Sequence, residues 1–314
     1  MPLKFLIFIT SVVPSVNLKF TEYRSTMKKN KTFSYLYVII AYVIAIYGGW
    51  ICLEFIQTGS PLTDMLIADV LATVIIFIFS IMVQNSSLYD PYWSVLPVPI
   101  ALYWMYIFPG GNHFRQILML IAISVWSIRL TINWIRSWPD LSHEDWRYRK
   151  LAEDSGSFYW VVSFLGIHLF PTLIVFAGLL PVFVGLQATE PVGLFDVIGI
   201  IICLGAAVVE YVADEQLRKF KSTNTVEGAN MVDGLWAFSR HPNYFGEILF
   251  WLGLFFFSVG YRFLEHIWTT IGFIFMFLLF RYISIPMMEK RLAKTKTGYD
   301  EYQEKVQMIF PFKV

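Results

Sequence analysis

Residues 34–53 read SYLYVIIAYVIAIYGGWICL, twenty residues without a charge. A helix of that length, rising 1.5 Å per residue, covers the roughly 30 Å hydrocarbon core of a bilayer. Seven more apolar runs follow: Leu66 to Val83, Val95 to Phe108, Gln116 to Ile132, Trp160 to Leu186, Leu194 to Val212, Tyr244 to Val259 and Ile267 to Ile285. The third is short and holds Pro97 and Pro99, which marks it as broken or tilted and sets the number of crossings at seven or eight. Composition agrees, with 57% hydrophobic and only 15% charged residues against about 25% charged in a soluble chain. The fold class is therefore all-α, a polytopic helix bundle integral to a membrane.

Twenty-four basic and twenty-three acidic residues leave a net charge of +1, which supplies no field to gather nucleic acid. Cys52 and Cys203 both lie in apolar runs and offer neither a disulfide framework nor a thiolate metal site, so no metal is expected. From Met27 onward, eight crossings place nineteen Lys and Arg residues on one side and two on the other. Cytoplasmic loops hold such an excess, which predicts both termini in the cytoplasm. Residues 1–33 read as an N-terminal extension, with Met27 a more natural beginning than Met1. Transmembrane helices over 34–135, a polar cytoplasmic loop over 136–159 and a second transmembrane part over 160–314 with a cytoplasmic tail complete the organisation.

Polar residues stand out at four places. QNSSLYDPYW, residues 84–93, sets Asn85, Tyr89, Asp90 and Trp93 at a helix end and turn; Asp90 before Pro91 suits a turn, and a carboxylate and phenol at membrane depth also suit proton transfer. The loop from Arg136 to Ser157 reads as an interfacial belt, or as a lid with Arg136, Arg147 and Arg149 for phosphate and Trp138 or Trp146 for a ring. In VEYVADEQLRKFK, Glu210, Asp214 and Arg218 recur at i, i+4 and i+8 on one helix face, with Lys221 a turn further on. Ion pairing explains Asp214 with Arg218, but not an acidic Glu210 deeper in an apolar helix. In GLWAFSRHPNYFGE, Pro242 suits a helix start whose free N–H groups hold an anion, with Arg240 and His241 as added donors. Asn243 and Glu247 then stack one turn apart. The tail from Ile285 carries Glu289, Arg291, Tyr299 and Tyr302, and its lysines read most simply as lipid-headgroup contacts. His168 reads as a hydrogen-bonded bundle residue. No Rossmann fingerprint, Walker loop, zinc-protease motif or nucleophile elbow occurs.

Asp214-x-x-x-Arg218, Gly234-Leu235-Trp236, Ser239-Arg240-His241-Pro242-Asn243-Tyr244-Phe245-Gly246-Glu247 and Tyr299-x-x-Tyr302 with Phe310-Pro311-Phe312 resemble the C-terminal domain of the steroid 5α-reductase superfamily. The likeness is to its uncharacterised bacterial branch (3-oxo-5-alpha-steroid 4-dehydrogenase-like membrane proteins) and extends to SSLYDPYW and HEDWRYRKL. It implies NADPH as cofactor, a lipid substrate drawn from the bilayer, and a bacterial inner-membrane protein whose cofactor site faces the cytoplasm. The family's Asn-x-x-x-Asp motif stands here as Glu210-x-x-x-Asp214, and its Asn-aromatic-x-Gly-Glu motif is met by Asn243, Tyr244, Gly246 and Glu247. The implied cofactor-binding set is Asp214, Arg218, Lys221, Arg240, His241, Asn243, Tyr244, Glu247, Arg291, Tyr299 and Tyr302, in which Arg218, Lys221, Arg240 and Arg291 meet phosphates and Asp214, Asn243 and Glu247 meet ribose and amide. Tyr89, Asp90 and Tyr148 are the candidate catalytic groups.

The activity expected is reduction of a lipid carbon–carbon double bond with NADPH. Membrane methyltransferases of the isoprenylcysteine and phospholipid type share Arg-His-Pro-x-Tyr and bind S-adenosylmethionine there. They usually add a Glu-Glu pair where this chain has Met288-Glu289-Lys290. A non-catalytic lipid-binding protein is the third alternative.

Overall fold

The computed structural model describes residues 28–260 and 262–311. The extension read at residues 1–33 falls outside the described residues up to residue 27, and helix is already established from Lys31. About 80% of the structure is helical, and among the described residues there is no strand. The helices are α1 (Lys31–Phe55), α2 (Pro61–Val83), α3 (Pro97–Ile107), α4 (His113–Ser137), α5 (Trp146–Gln187), α6 (Leu194–Thr223), α7 (Pro242–Val259), α8 (Phe263–Thr295) and α9 (Tyr299–Lys305). Seven, all but α3 and α9, are long and apolar enough to cross a membrane. Helices are what this sequence must form, because hydrocarbon offers no water to the backbone and each N–H and C=O has to be bonded within its own segment.

Local signals set the starts. Asn30 accepts the Phe33 N–H at 3.0 Å, Ser60 accepts that of Thr63 at 3.3 Å ahead of Pro61, and Asp145 accepts that of Arg147 at 2.8 Å. Several helices outrun their apolar runs, since a helix need not stop where the hydrocarbon does: α6 continues through DEQLRKFKST, and the polar stretch read as a loop over 136–159 already contains the start of α5. Arg129, within the apolar run from Gln116 to Ile132, lies well inside α4.

The doubtful third run is the short α3, opened by Pro97. Ser94 shares a hydroxyl hydrogen bond with Thr131 at 2.9 Å, and the Phe108 carbonyl accepts from Gln116 at 2.9 Å. Those two points on α4 are roughly 22 Å apart at 1.5 Å per residue, so residues 94–108 run antiparallel to α4 for about three quarters of a hydrocarbon core. By length and composition alone, however, the count is seven, and the even number behind the same-side termini is not reached without this segment.

The chain divides into two compact units: one takes residues up to Tyr92 with Trp134–Phe170, the other Trp93–Asn133 with Pro171 onward. In the first, α1 turns Ser34, Val38, Ala41, Tyr42, Ala45 and Gly49 inward and leaves Leu36, Ile39, Val43, Tyr47 and Trp50 exposed. Small residues inside and large apolar ones outside suit a helix with lipid on its outer face. In the second unit α6 and α7 approach closely. A Cβ at Gly246 would run into the Glu210 side chain, and one at Gly253 would lie 2.6 Å from Cys203 Sγ and 3.1 Å from the Gly199 carbonyl.

Gly253→Val therefore forces α6 and α7 apart and should cost about 1–3 kcal/mol, the usual toll of overpacking. Gly205→Ala, with nothing within 4 Å of its new methyl, should be neutral or mildly stabilising. Thermal unfolding in detergent distinguishes them, and equal midpoints for the two variants would refute the close-packed interface.

Candidate functional site

In the second unit three helices each contribute a polar stripe at helical spacing: Trp126, Arg129 and Asn133 from α4, Glu210, Asp214 and Arg218 from α6, and Asn243, Glu247 and Trp251 from α7. Arg129 is the hub. Its guanidinium bonds Glu210, lies 3.3 Å from Asp214 Oδ2 and reaches 3.6 Å from Glu247 Oε2. Asp214 also accepts from Asn133 at 2.9 Å and from Asn243 at 3.3 Å, while Arg218 donates to Asn133 Oδ1 at 2.6 Å. Glu247 accepts the indole N–H of Trp126 at 3.0 Å on one oxygen and that of Trp251 at 2.9 Å on the other. Trp126 stacks flat on Phe250, ring centroids 4.5 Å apart. Three acidic side chains thus share one buried guanidinium, and Glu210 Oε1, Arg129 Nε and Arg218 Nε are buried without a hydrogen-bond partner. Such an arrangement matches hydroxyl and amide groups that donate hydrogen bonds, and repels phosphate.

Asp214 with Arg218, and Asn243 with Glu247, each expected on one helix face, meet in this cluster, and Arg129, Asn133, Trp126 and Trp251 join them without having been singled out from the sequence. The signal was present: an arginine and an asparagine one turn apart within the apolar stretch ISVWSIRLTINWI.

Arg240 and His241, both in the expected cofactor-binding set, meet the C-terminal segment in the structure. Arg240 pairs with Glu289 at 2.7 Å and donates to the Gln303 carbonyl at 2.9 Å and to that of Val306, while its own N–H bonds the Gln307 carbonyl at 2.8 Å. His241 Nε2 sits 3.1 Å from Glu289 Oε1, and Gln303 donates to the other Glu289 oxygen at 2.9 Å. Ser239 closes the same latch by donating to the Ile309 carbonyl at 2.7 Å. Tyr302 donates to the Trp236 carbonyl, and burial pushes its hydroxyl up to about 12, which keeps it a donor. Tyr299 is buried with no partner for its hydroxyl. Tyr244 stacks between His241 and Phe280, centroids 5.6 and 4.8 Å away. Lys221 and Arg291 are exposed, and Arg218 is part-buried. These three are the basic members of the expected set that the latch does not consume.

The expected catalytic residues belong to the first unit. Tyr148 donates to Asp90 Oδ1 at 2.6 Å. Tyr89 stacks on Tyr92 at 5.1 Å and tilts against His168 at 5.0 Å. Around them Asn85 donates to the Leu141 and His143 carbonyls, Ser86 bonds Glu144, Tyr159 and Ser163, and the fully buried His168 lies 3.0 Å from the Ser163 carbonyl and 3.2 Å from Ser80 Oγ. His168 is thus a hydrogen-bonded bundle residue, as its sequence setting suggested. Arg147, expected at phosphate, forms a forked pair with Asp145 at 2.8 and 3.0 Å.

A polytopic α-helical membrane protein with a buried ionic cluster on three helices is the class these features define. The chain belongs to the DUF1295 family, described as a protein of unknown function, which it matches over residues 76–306; that family lies in the steroid 5-alpha reductase-like superfamily. It is also similar to an uncharacterized protein of Schizosaccharomyces pombe, 24% identical over 303 residues that cover 88% of this chain and 87% of that one. No solved structure matches it. Among the described residues, no group of three or more His, Cys, Asp or Glu side chains is placed to hold a metal ion.

Burial raises the Asp90 carboxyl to about 7, against the opposing pull of the Tyr148 hydrogen bond and Arg147. A carboxyl that binds its proton more tightly folded than unfolded stabilises the fold fully at low pH, and that contribution fades as pH rises from about 4 through 7. The unfolding midpoint should therefore fall across this window in the wild-type protein, and Asp90→Asn should flatten the fall. An unchanged slope in the variant would show that Asp90 does not titrate there.

Proposed function

We propose that this protein is a membrane-embedded, NADPH-dependent reductase of a carbon–carbon double bond in a lipid. The observation that carries the reading is the Arg129 cluster, in which Asp214, Asn133, Asn243 and Glu210 gather hydrogen-bonding groups on three helices of the second unit. Partnerless polar atoms in that cluster fit a cofactor's hydroxyl and amide groups, and Lys221, Arg218 and Arg291 suit its phosphates. When bound, the nicotinamide supplies the reducing equivalent. The chain's own residues fix and orient it, and the surrounding aromatic and aliphatic side chains exclude water. In the first unit, taken by itself, the Asp90–Tyr148 pair is a hydrogen-bonded carboxyl and phenol able to hold a proton. Membership of the steroid 5-alpha reductase-like superfamily supports the same reading.

An S-adenosylmethionine-dependent membrane methyltransferase is the second reading, and one observation favours it: three acidic side chains against one buried guanidinium suit a sulfonium cation. A ligand that binds only the folded state raises the unfolding midpoint. NADPH should therefore raise that of the detergent-purified protein, with NADH and S-adenosylmethionine without effect. A shift with S-adenosylmethionine alone would overturn the reductase in favour of the methyltransferase.

The proposal includes both chain ends on the cytosolic side, with residues 94–108 as an eighth crossing beside α4. Lys29→Cys and Lys305→Cys, each in a background lacking Cys52 and Cys203, should react with an impermeant thiol reagent from the same face of sealed vesicles. Reaction from opposite faces would leave seven crossings.

A further inference from the structure

The Arg129 cluster carries an imbalance that its own members do not resolve. Facing one another are Arg129 and Asn133 from α4, Glu210, Asp214 and Arg218 from α6, and Asn243 and Glu247 from α7, with Glu215 3.7 Å from Arg218 at the rim. Two of the three carboxylates are provided for. Glu247 has an indole N–H on each oxygen, and Asp214 has Asn133, Asn243 and Arg129. Glu210 differs: one oxygen bonds Arg129, while Oε1 is buried, in a side chain only 2% exposed, and has no partner. On the guanidinium it bonds, Arg129 Nε is a buried donor that also lacks a partner. A buried polar atom without a partner bears its full desolvation cost, and native proteins keep few.

An acceptor and a donor left over on two bonded side chains suit a ligand group that offers both an N–H and a carbonyl oxygen and carries no negative charge. A primary carboxamide is such a group. We infer that Glu210 Oε1 accepts the N–H of a ligand's primary carboxamide and that the cluster rejects a carboxylate in the same place. This rests on the reductase reading, under which the carboxamide is that of the nicotinamide ring. It gives Glu210, where the resembling motif has asparagine, a direct ligand contact and a part in selectivity.

The test compares three dinucleotides on the full-length detergent-purified protein by calorimetric titration: NADP+, its 3-acetylpyridine analogue, which keeps the carbonyl and loses the N–H donor, and its nicotinic acid analogue, which is anionic. Wild type should bind the amide about tenfold more tightly than the acetyl compound, as expected for one hydrogen bond to a charged group, and the acid more weakly still. In Glu210→Gln the three should fall within about threefold, with the acid gaining most. The same order and spacing in Glu210→Gln overturn the proposal and leave the reductase standing, whereas no binding of any of the three to wild type removes the reductase itself. Unfolding without ligand checks that the variant folds, and Glu210→Asn replaces it if it does not. An acid analogue that binds wild type as well as the amide overturns the proposal without any variant.

Discussion

One guanidinium inside a membrane helix sets the terms for the second unit. Arg129 touches acidic side chains on α6 and α7, so three helices are tied at one point by charge rather than by apolar contact. In hydrocarbon, an unpaired charge is costly enough to dictate where helices sit, and breaking a buried pair by removing one partner costs roughly 3–5 kcal/mol. The glycine at 246 follows from the same demand, because Glu210 lies where any larger side chain on α7 would be. Glu247 extends the cluster into the aromatic core through two indoles, so that polar and apolar packing fix each other.

Two further arginines act in the same way at other places in this unit. Arg115 forms a forked pair with Asp196 at 2.7 and 3.0 Å and spends its remaining donors on the carbonyls of Ala188, Glu190 and Pro191, with only 1% of its side chain exposed. Arg240 does the corresponding work for the C-terminal segment. A planar fork with five donors suits this task, since it pairs with a carboxylate and holds loop carbonyls that hydrocarbon would otherwise leave bare.

The helical, membrane-crossing architecture was legible because twenty-residue uncharged runs have few other uses, and Pro97 and Pro99 marked the one run that does not make a full-length helix. Asp214, Arg218, Asn243 and Glu247 were also legible, since residues four apart on a helix share a face. Arg129 was not, because a lone arginine inside an apolar run does not show whether it turns into the bundle or out toward the headgroups, and here it turns inward. The contacts of Arg240 and Tyr302 were hidden for a related reason: a short motif shows which side chains are polar but not which distant carbonyls they meet, and their partners lie some sixty residues away. The Asp90–Tyr148 contact joins residues 58 apart, which no local spacing reveals.

The latch on Arg240 also bears on how the protein is made. Ser239 and Arg240, immediately ahead of α7, find their partners in Gln303, Val306, Gln307 and Ile309, at the far end of the described chain. A ribosome delivers α7 and α8 to the bilayer before those partners emerge, and the intervening loop must then close at an entropic cost that grows slowly with its length. Until then the carbonyls of the tail and the guanidinium of Arg240 are left to water or to headgroups. Insertion of the helices and completion of the structure around α7 are thus separate events in biosynthesis, with residues 303–309 deciding the second.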